Sequence, residues 1–194
     1  MAELTEGDRA QIALRRAQIG MLGDRMEDVE AQLEIARDEY GAHVYFVGMQ
    51  ADMAVRRGDF VSAVTALRRL GRHARADHLE GFAERGWYRV EAAAGDRLAW
   101  DATQALPVLD ATVNGQPGRF VLDTGTGDTL LDSGFAQRAG VEPGPIDQAK
   151  FALGRVGHWR LTHIHSLSLG GTTLASLPGM VASLETAFRH VVDG

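Results

Sequence analysis

One run of the chain gathers the residue types that do chemistry: Arg119-Phe120-Val121-Leu122-Asp123-Thr124-Gly125-Thr126-Gly127-Asp128-Thr129-Leu130-Leu131. Apolar residues lead straight into Asp123 and a glycine turn comes next, so the pattern sets a carboxylate at the end of a buried strand. Burial raises a lone carboxyl's pKa, which makes such an acid costly unless it is hydrogen-bonded or used. The chain holds no Cys, which removes thiolate nucleophiles, thiolate zinc sites and disulfides from consideration. Asp123 is then the best-placed catalytic candidate. Two further acids, Asp128 and Asp132, flank the motif; they read as turn and helix-cap residues or as electrostatic partners of Asp123. His163-Ile164-His165 sets two imidazoles on one face of a strand, as a metal site would. No carboxylate or third His stands at a convincing spacing, and a solvated strand face is the plainer reading.

Short strands must carry these residues. Trp87–Glu91 and Leu98–Asp101 flank a turn-like Ala92–Arg97, and Pro107–Val113 and Arg119–Asp123 flank Asn114-Gly115-Gln116-Pro117-Gly118. An Asn-Gly step between apolar runs is a strong hairpin signal. Thr129–Asp132 reads as a short strand, after which Asp132 or Ser133 caps a short helix over Phe135–Ala139 that Gly140 ends. Phe151–Leu153 and Trp159–Thr162 surround a glycine-tipped Gly154-Arg155-Val156-Gly157. His163–Leu169 and Thr172–Leu177 surround Gly170-Gly171, and Met180–Leu184 adds one more strand.

The region ahead of Trp87 differs. It contains no Pro, is rich in Ala, Arg, Glu and Leu, and has helical periodicity, whereas all five Pro lie beyond it. The chain therefore reads as two domains, a helical 1–86 and a β-rich 87–194 with one short helix. Gly23-Asp24 and Gly58-Asp59 recur at an offset of 35 residues, near the roughly 34-residue tetratricopeptide period. Ala51–Leu67 resembles that family's small-residue helix, Gly-Asp-aromatic turn and Ala-containing second helix. Gly58 permits the tight turn and Asp59 caps the second helix. Two helical hairpins are expected, with a further helix over Ala76–Glu84, and either plain packing or a protein partner is open to them.

The β half resembles the retropepsin-like aspartic proteases. The resemblance rests on Val121-Leu122-Asp123-Thr124-Gly125-Thr126, on Thr129-Leu130-Leu131, the short helix and Ala139-Gly140-Val141, and on the Asn114-Gly115 hairpin before them. It continues through a flap-like hairpin near Gly154–Gly157 and through Leu167–Leu174. It implies an α+β multidomain chain: tetratricopeptide-like hairpins, then an acid-protease barrel. It also implies an endopeptidase in which two aspartates share one water, the ionised one as general base and the protonated one polarising the scissile carbonyl. With one Asp-Thr-Gly per chain, the pair requires a homodimer, each copy giving Asp123 across a two-fold axis. The resemblance further implies that Thr124 bonds across that axis, that Gly125 lets the backbone approach the carboxylate, and that Thr126 donates to Asp123. An acidic optimum is expected. Substrate is peptide or protein, and no cofactor or metal is expected. Val191-Val192-Asp193-Gly194 resembles the start of a segment that the family completes with a closing helix and strand, so the fold is expected to be incomplete at its C-terminus. The alternative is an inactive protease-fold and helical-repeat module that binds a protein partner.

The stretch from Val121 to Gly127 also resembles the glycine-rich loop of nucleotide- and methyl-donor-binding folds. Here no third glycine follows, Leu130-Leu131 read as strand, and fewer than ~70 residues remain, too few for alternating βαβ units. A net charge of -6 opposes broad affinity for nucleic acid or anionic membrane. No apolar run approaches the roughly 18–20 residues of a membrane helix. Met1–Glu6 lacks the basic and apolar regions of a secretion signal, so a soluble chain is expected. Its compartment stays open: periplasmic if an upstream signal was removed, otherwise cytoplasmic.

Overall fold

The computed structural model describes residues 5–85, 89–91, 98–101, 106–123, 128–150 and 156–184. Contacts divide the chain into two units, Met1–Glu80 and Gly81–Gly194. The first is helical: α1 (Glu6–Leu22), α2 (Met26–Tyr40), α3 (Val44–Arg57), α4 (Phe60–Arg69) and the start of α5 (His73–Arg85). A capping box opens α1, with Asp8 N–H donating to Thr5 Oγ1 at 3.1 Å and Thr5 N–H donating to Asp8 Oδ2 at 3.0 Å. Helices α1 and α2 meet where side chains are small: a Cβ on Gly20 would lie 2.8 Å from Val29 Cγ2. The expected turn at Gly58-Asp59 is present, with Gly58 at φ 70° and Asp59 accepting from Ser62 N–H at 3.0 Å. The first turn is built differently, since Asp24, not Gly23, takes the left-handed backbone at φ 53°. Arg56 and Arg57 tie the two turns together: Arg56 donates to Met21 O at 3.0 Å and Arg57 to Glu30 at 2.9 Å.

The second unit holds one seven-stranded sheet. Its elements are β1 (Arg89–Glu91), β2 (Val108–Val113), β3 (Gln116–Val121), β4 (Thr129–Asp132), α6 (Ser133–Arg138), β5 (Ile146–Lys150), β6 (Val156–Leu169) and β7 (Thr172–Ala182). The path is β1-β7-β6-β2-β3, with β5 on β6 and β4 on β7. Every pair is antiparallel except β4 and β7, which run parallel with Thr129 opposite Gly179. Asn114 (φ 50°) and Gly115 (φ 82°) form a two-residue β2–β3 turn, the left-handed pair that matches strand twist. Leu109, Ala111, Val113, Phe120, Leu131 and Ile164 bury one face of the sheet against Phe135 and Ala136 of α6.

Four strand expectations change. Leu98–Asp101 is no strand; it makes a single bridge, Asp101 to Val108, and β1 pairs with β7 instead. The long β7 offers Arg89–Glu91 a ready edge at Thr173–Ala175, which a short local hairpin does not match. Trp159–Thr162 and His163–Leu169 are one strand, β6. Met180–Leu184 is no separate strand either, because β7 runs through Pro178 to Ala182. Pro178 and the left-handed Ser176 (φ 62°) sit where β7 changes neighbour along one edge, from β1 to β4. In the flap-like hairpin the strand opposite β6 is β5, and Gly157 lies within β6, opposite Ala149. Phe151–Leu153, Gly154 and Arg155 lie outside the described residues, as do Trp87, Val191–Gly194 and Ala92–Arg97.

Asn114 fastens the hairpin to the rest of the sheet. Its Nδ2 donates to Ala139 O at 3.1 Å, and its Oδ1 accepts from Ser166 N–H at 3.0 Å. Asn114→Ala is expected to cost about 2 kcal/mol, from the lost bonds and a strained left-handed alanine. Asn114→Gly, which removes the strain but not the lost bonds, should cost less. Urea unfolding of the two variants checks the order.

Candidate active site

Asp123 stands two residues beyond the end of β3. Phe120 is the last core anchor before it, packed edge-on against Phe135 at 5.4 Å between ring centroids. Leu122 still belongs to the ladder, donating its N–H to Pro107 O at 3.0 Å. Both Leu122 and Asp123 are exposed. The chain is held again at Thr129, where β4 joins β7, so the segment carrying Asp123 is fixed at both ends by different partners. Thr124, Gly125 and Thr126, the other expected site residues, lie outside the described residues, as does Gly127.

Of the two flanking acids, Asp128 is half-buried at the entrance to β4. Asp132 has a defined structural task. Its Oδ1 accepts from Gly134 N–H at 2.9 Å and Phe135 N–H at 3.3 Å, capping α6, while Oδ2 accepts from Leu184 N–H at 3.2 Å. The cap was readable from sequence; the bond to Leu184, 52 residues away, has no local signal. Partial burial pushes the Asp132 carboxyl up, but the N–H groups of Leu184, Phe135, Gly134 and Ser133 together outweigh it and leave it below the ordinary carboxylate value.

His163 and His165 lie edge to face at 4.7 Å, with His163 Nε2 3.1 Å from Ser176 Oγ and its ring against Phe82 at 5.2 Å. Among the described residues no three His, Asp or Glu side chains gather in a way that could hold a metal ion. An open hollow of about 430 Å³ lies over β2, β3 and β6, lined by Asp110, Thr112, Arg119 and Ser168 among others; Asp123 is not part of its lining. Arg119 there also reaches Asp101 at 3.3 Å. No helix among the described residues is long and apolar enough to cross a membrane.

The family described as "gag-polyprotein putative aspartyl protease" matches residues 109–191. Over this stretch the chain is similar to that family. The match runs from β2 past the end of β7 and includes the whole Asp123 segment, whereas the helical unit lies outside it. A solved retropepsin-like aspartic protease from Rickettsia conorii is similar at 18% identity and a TM-score of 0.35, over 51% of this chain and 69% of that one. No curated protein matches the chain.

Within the β unit the Asp132 clamp has a pH signature. Its carboxyl is held below the unfolded value of about 3.9, so its contribution to stability is complete above that value and fades as pH falls through the lower folded one. Asp132→Asn keeps an N-cap oxygen but removes the charge. It should lower the denaturation midpoint near pH 7, and the gap to the wild-type chain should narrow as pH falls through the lowered folded value. Denaturant melts across that range check the convergence.

Proposed function

We propose that the protein is an aspartic endopeptidase whose catalytic pair is made of two copies of Asp123, one from each chain of a homodimer. One observation carries the reading: the stretch matching aspartyl proteases contains an exposed aspartate at a strand end, followed in sequence by Thr124-Gly125-Thr126. Two carboxylates around one water do not both ionise readily, so the pair titrates as a unit. The ionised member takes a proton from the water as it attacks the peptide carbonyl; the protonated member donates to the carbonyl oxygen. In this reading Thr124 joins the two loops across the axis, Gly125 gives the backbone room beside the carboxylates, and Thr126 donates to Asp123. The chemistry needs no metal or cofactor. The helical unit serves the same enzyme as a protein-contacting module.

The test is hydrolysis of a protein substrate at acid pH by the wild-type chain and by Asp123→Asn, with and without pepstatin. The substitution leaves no carboxylate to take the proton, and activity should fall by at least ~100-fold. Activity unchanged by Asp123→Asn sinks the assignment. The wild-type rate should also peak on the acid side of neutrality, and a flat profile from acid to neutral pH counts against a shared carboxylate pair.

A further inference from the structure

Helix α1 is apolar on two sides. Ala10, Ala13, Leu14 and Ala17 are buried along one. Ile12 and Ile19, 39% and 59% exposed, are two turns apart and so share a face, which at 3.6 residues per turn lies roughly opposite the buried one. Arg15 and Arg16 flank that outer stripe, both exposed, and neither makes an ion pair among the described residues. Helix α2 presents the opposite charge. It buries Val29, Leu33 and Ala36, and the side turned away from them carries Glu34 and Asp38, one turn apart, beside Ile35, which is 56% exposed. Glu34 bonds to Arg37 of its own helix, and Asp38 makes no ion pair among the described residues.

We infer that the α1–α2 hairpin docks on the same hairpin of a second copy, α1 of each lying against α2 of the other. The chain itself supplies both complementary faces: isoleucines with arginines on α1, isoleucine with acids on α2. A two-fold axis parallel to the helices sets each α1 antiparallel to the partner copy's α2 and closes a four-helix layer. The charges also exclude the other face-to-face arrangement, since α1 on α1 sets arginine against arginine. Burying the isoleucines supplies the attraction, and the charges set the pairing. This contact does not depend on the reading of Asp123.

The experiment uses two full-length variants, each purified separately with its own tag. One carries Arg15→Glu and Arg16→Glu; the other carries Glu34→Lys and Asp38→Lys. Within either variant, like charges face each other at both contacts. Between them, every contact is complementary again. At low salt, where screening is weakest, capture of one variant by the other should exceed either self-pairing by ~10-fold or more. Equal capture in all three pairings, whether strong or absent, overturns the inference. Association through Asp123 adds the same capture to all three pairings, so the quantity read is the excess of the mixed pairing over the two self-pairings. A third variant, Ile12→Ser with Ile19→Ser, keeps the charges and removes the apolar stripe. It should weaken self-association with the melting temperature unchanged, and undiminished association likewise overturns the proposal.

Discussion

The geometry around Asp123 depends on one pairing, the parallel contact of β4 with β7. Parallel strands cannot be joined by a tight turn, so this pair must be held by contacts distant in sequence, Thr129 with Gly179 through Asp132 with Ala182. Asp132 locks its far end by taking N–H groups from α6 and from Leu184 at once. The β2–β3 hairpin fixes the other side of the segment mainly through local hydrogen bonds. The aspartate thus sits between one local constraint and one long-range constraint, and only the second requires the whole sheet to be in place.

Features set by near neighbours were legible in the sequence. Asn114-Gly115 was read as a turn because both positions need left-handed backbone, and it is one. Asp59 reads as a cap from its place before a helical run, as do Asp132 and Ser133 as alternatives; Asp59 and Asp132 accept the expected N–H groups. The expected buried strand running to Asp123 is corrected: β3 ends at Val121, and Leu122 and Asp123 are exposed. The partners of the site stayed hidden. Strand β5 was missed because its pattern is inverted: Asp147 is 6% exposed and Ile146 is 54% exposed. An alternation rule that sends apolar residues inward reads such a segment as loop. The continuity of β7 was missed because Pro178 looks like a strand breaker, although its place opposite His163 falls where the outer edge passes from β1 to β4.

The two units are fastened differently. The helical unit sets alanines along α1 and Gly20 close against Val29, with Phe46 and Phe60 fully buried farther along; its turns are joined by arginines reaching backbone carbonyls and acids. The β unit packs Phe120 against Phe135 with Leu131 and Ile164 in the same core. Its polar side chains act as fasteners between distant strands, as Asn114 does between the hairpin tip, Ala139 and Ser166.

The passage of β7 from β1 to β4 also fixes when the site can exist. The α1–α2 and β2–β3 hairpins are local and close quickly, but pairing between β4 and β7 must wait for an entropically expensive loop to close. On the ribosome Asp123 leaves the exit tunnel well before Gly179–Ala182, the residues that hold the segment after it. A growing chain of this kind carries Asp123 on a segment not yet clamped. Assembly of the sheet therefore acts as a built-in delay on fixing that segment, set by the order of synthesis.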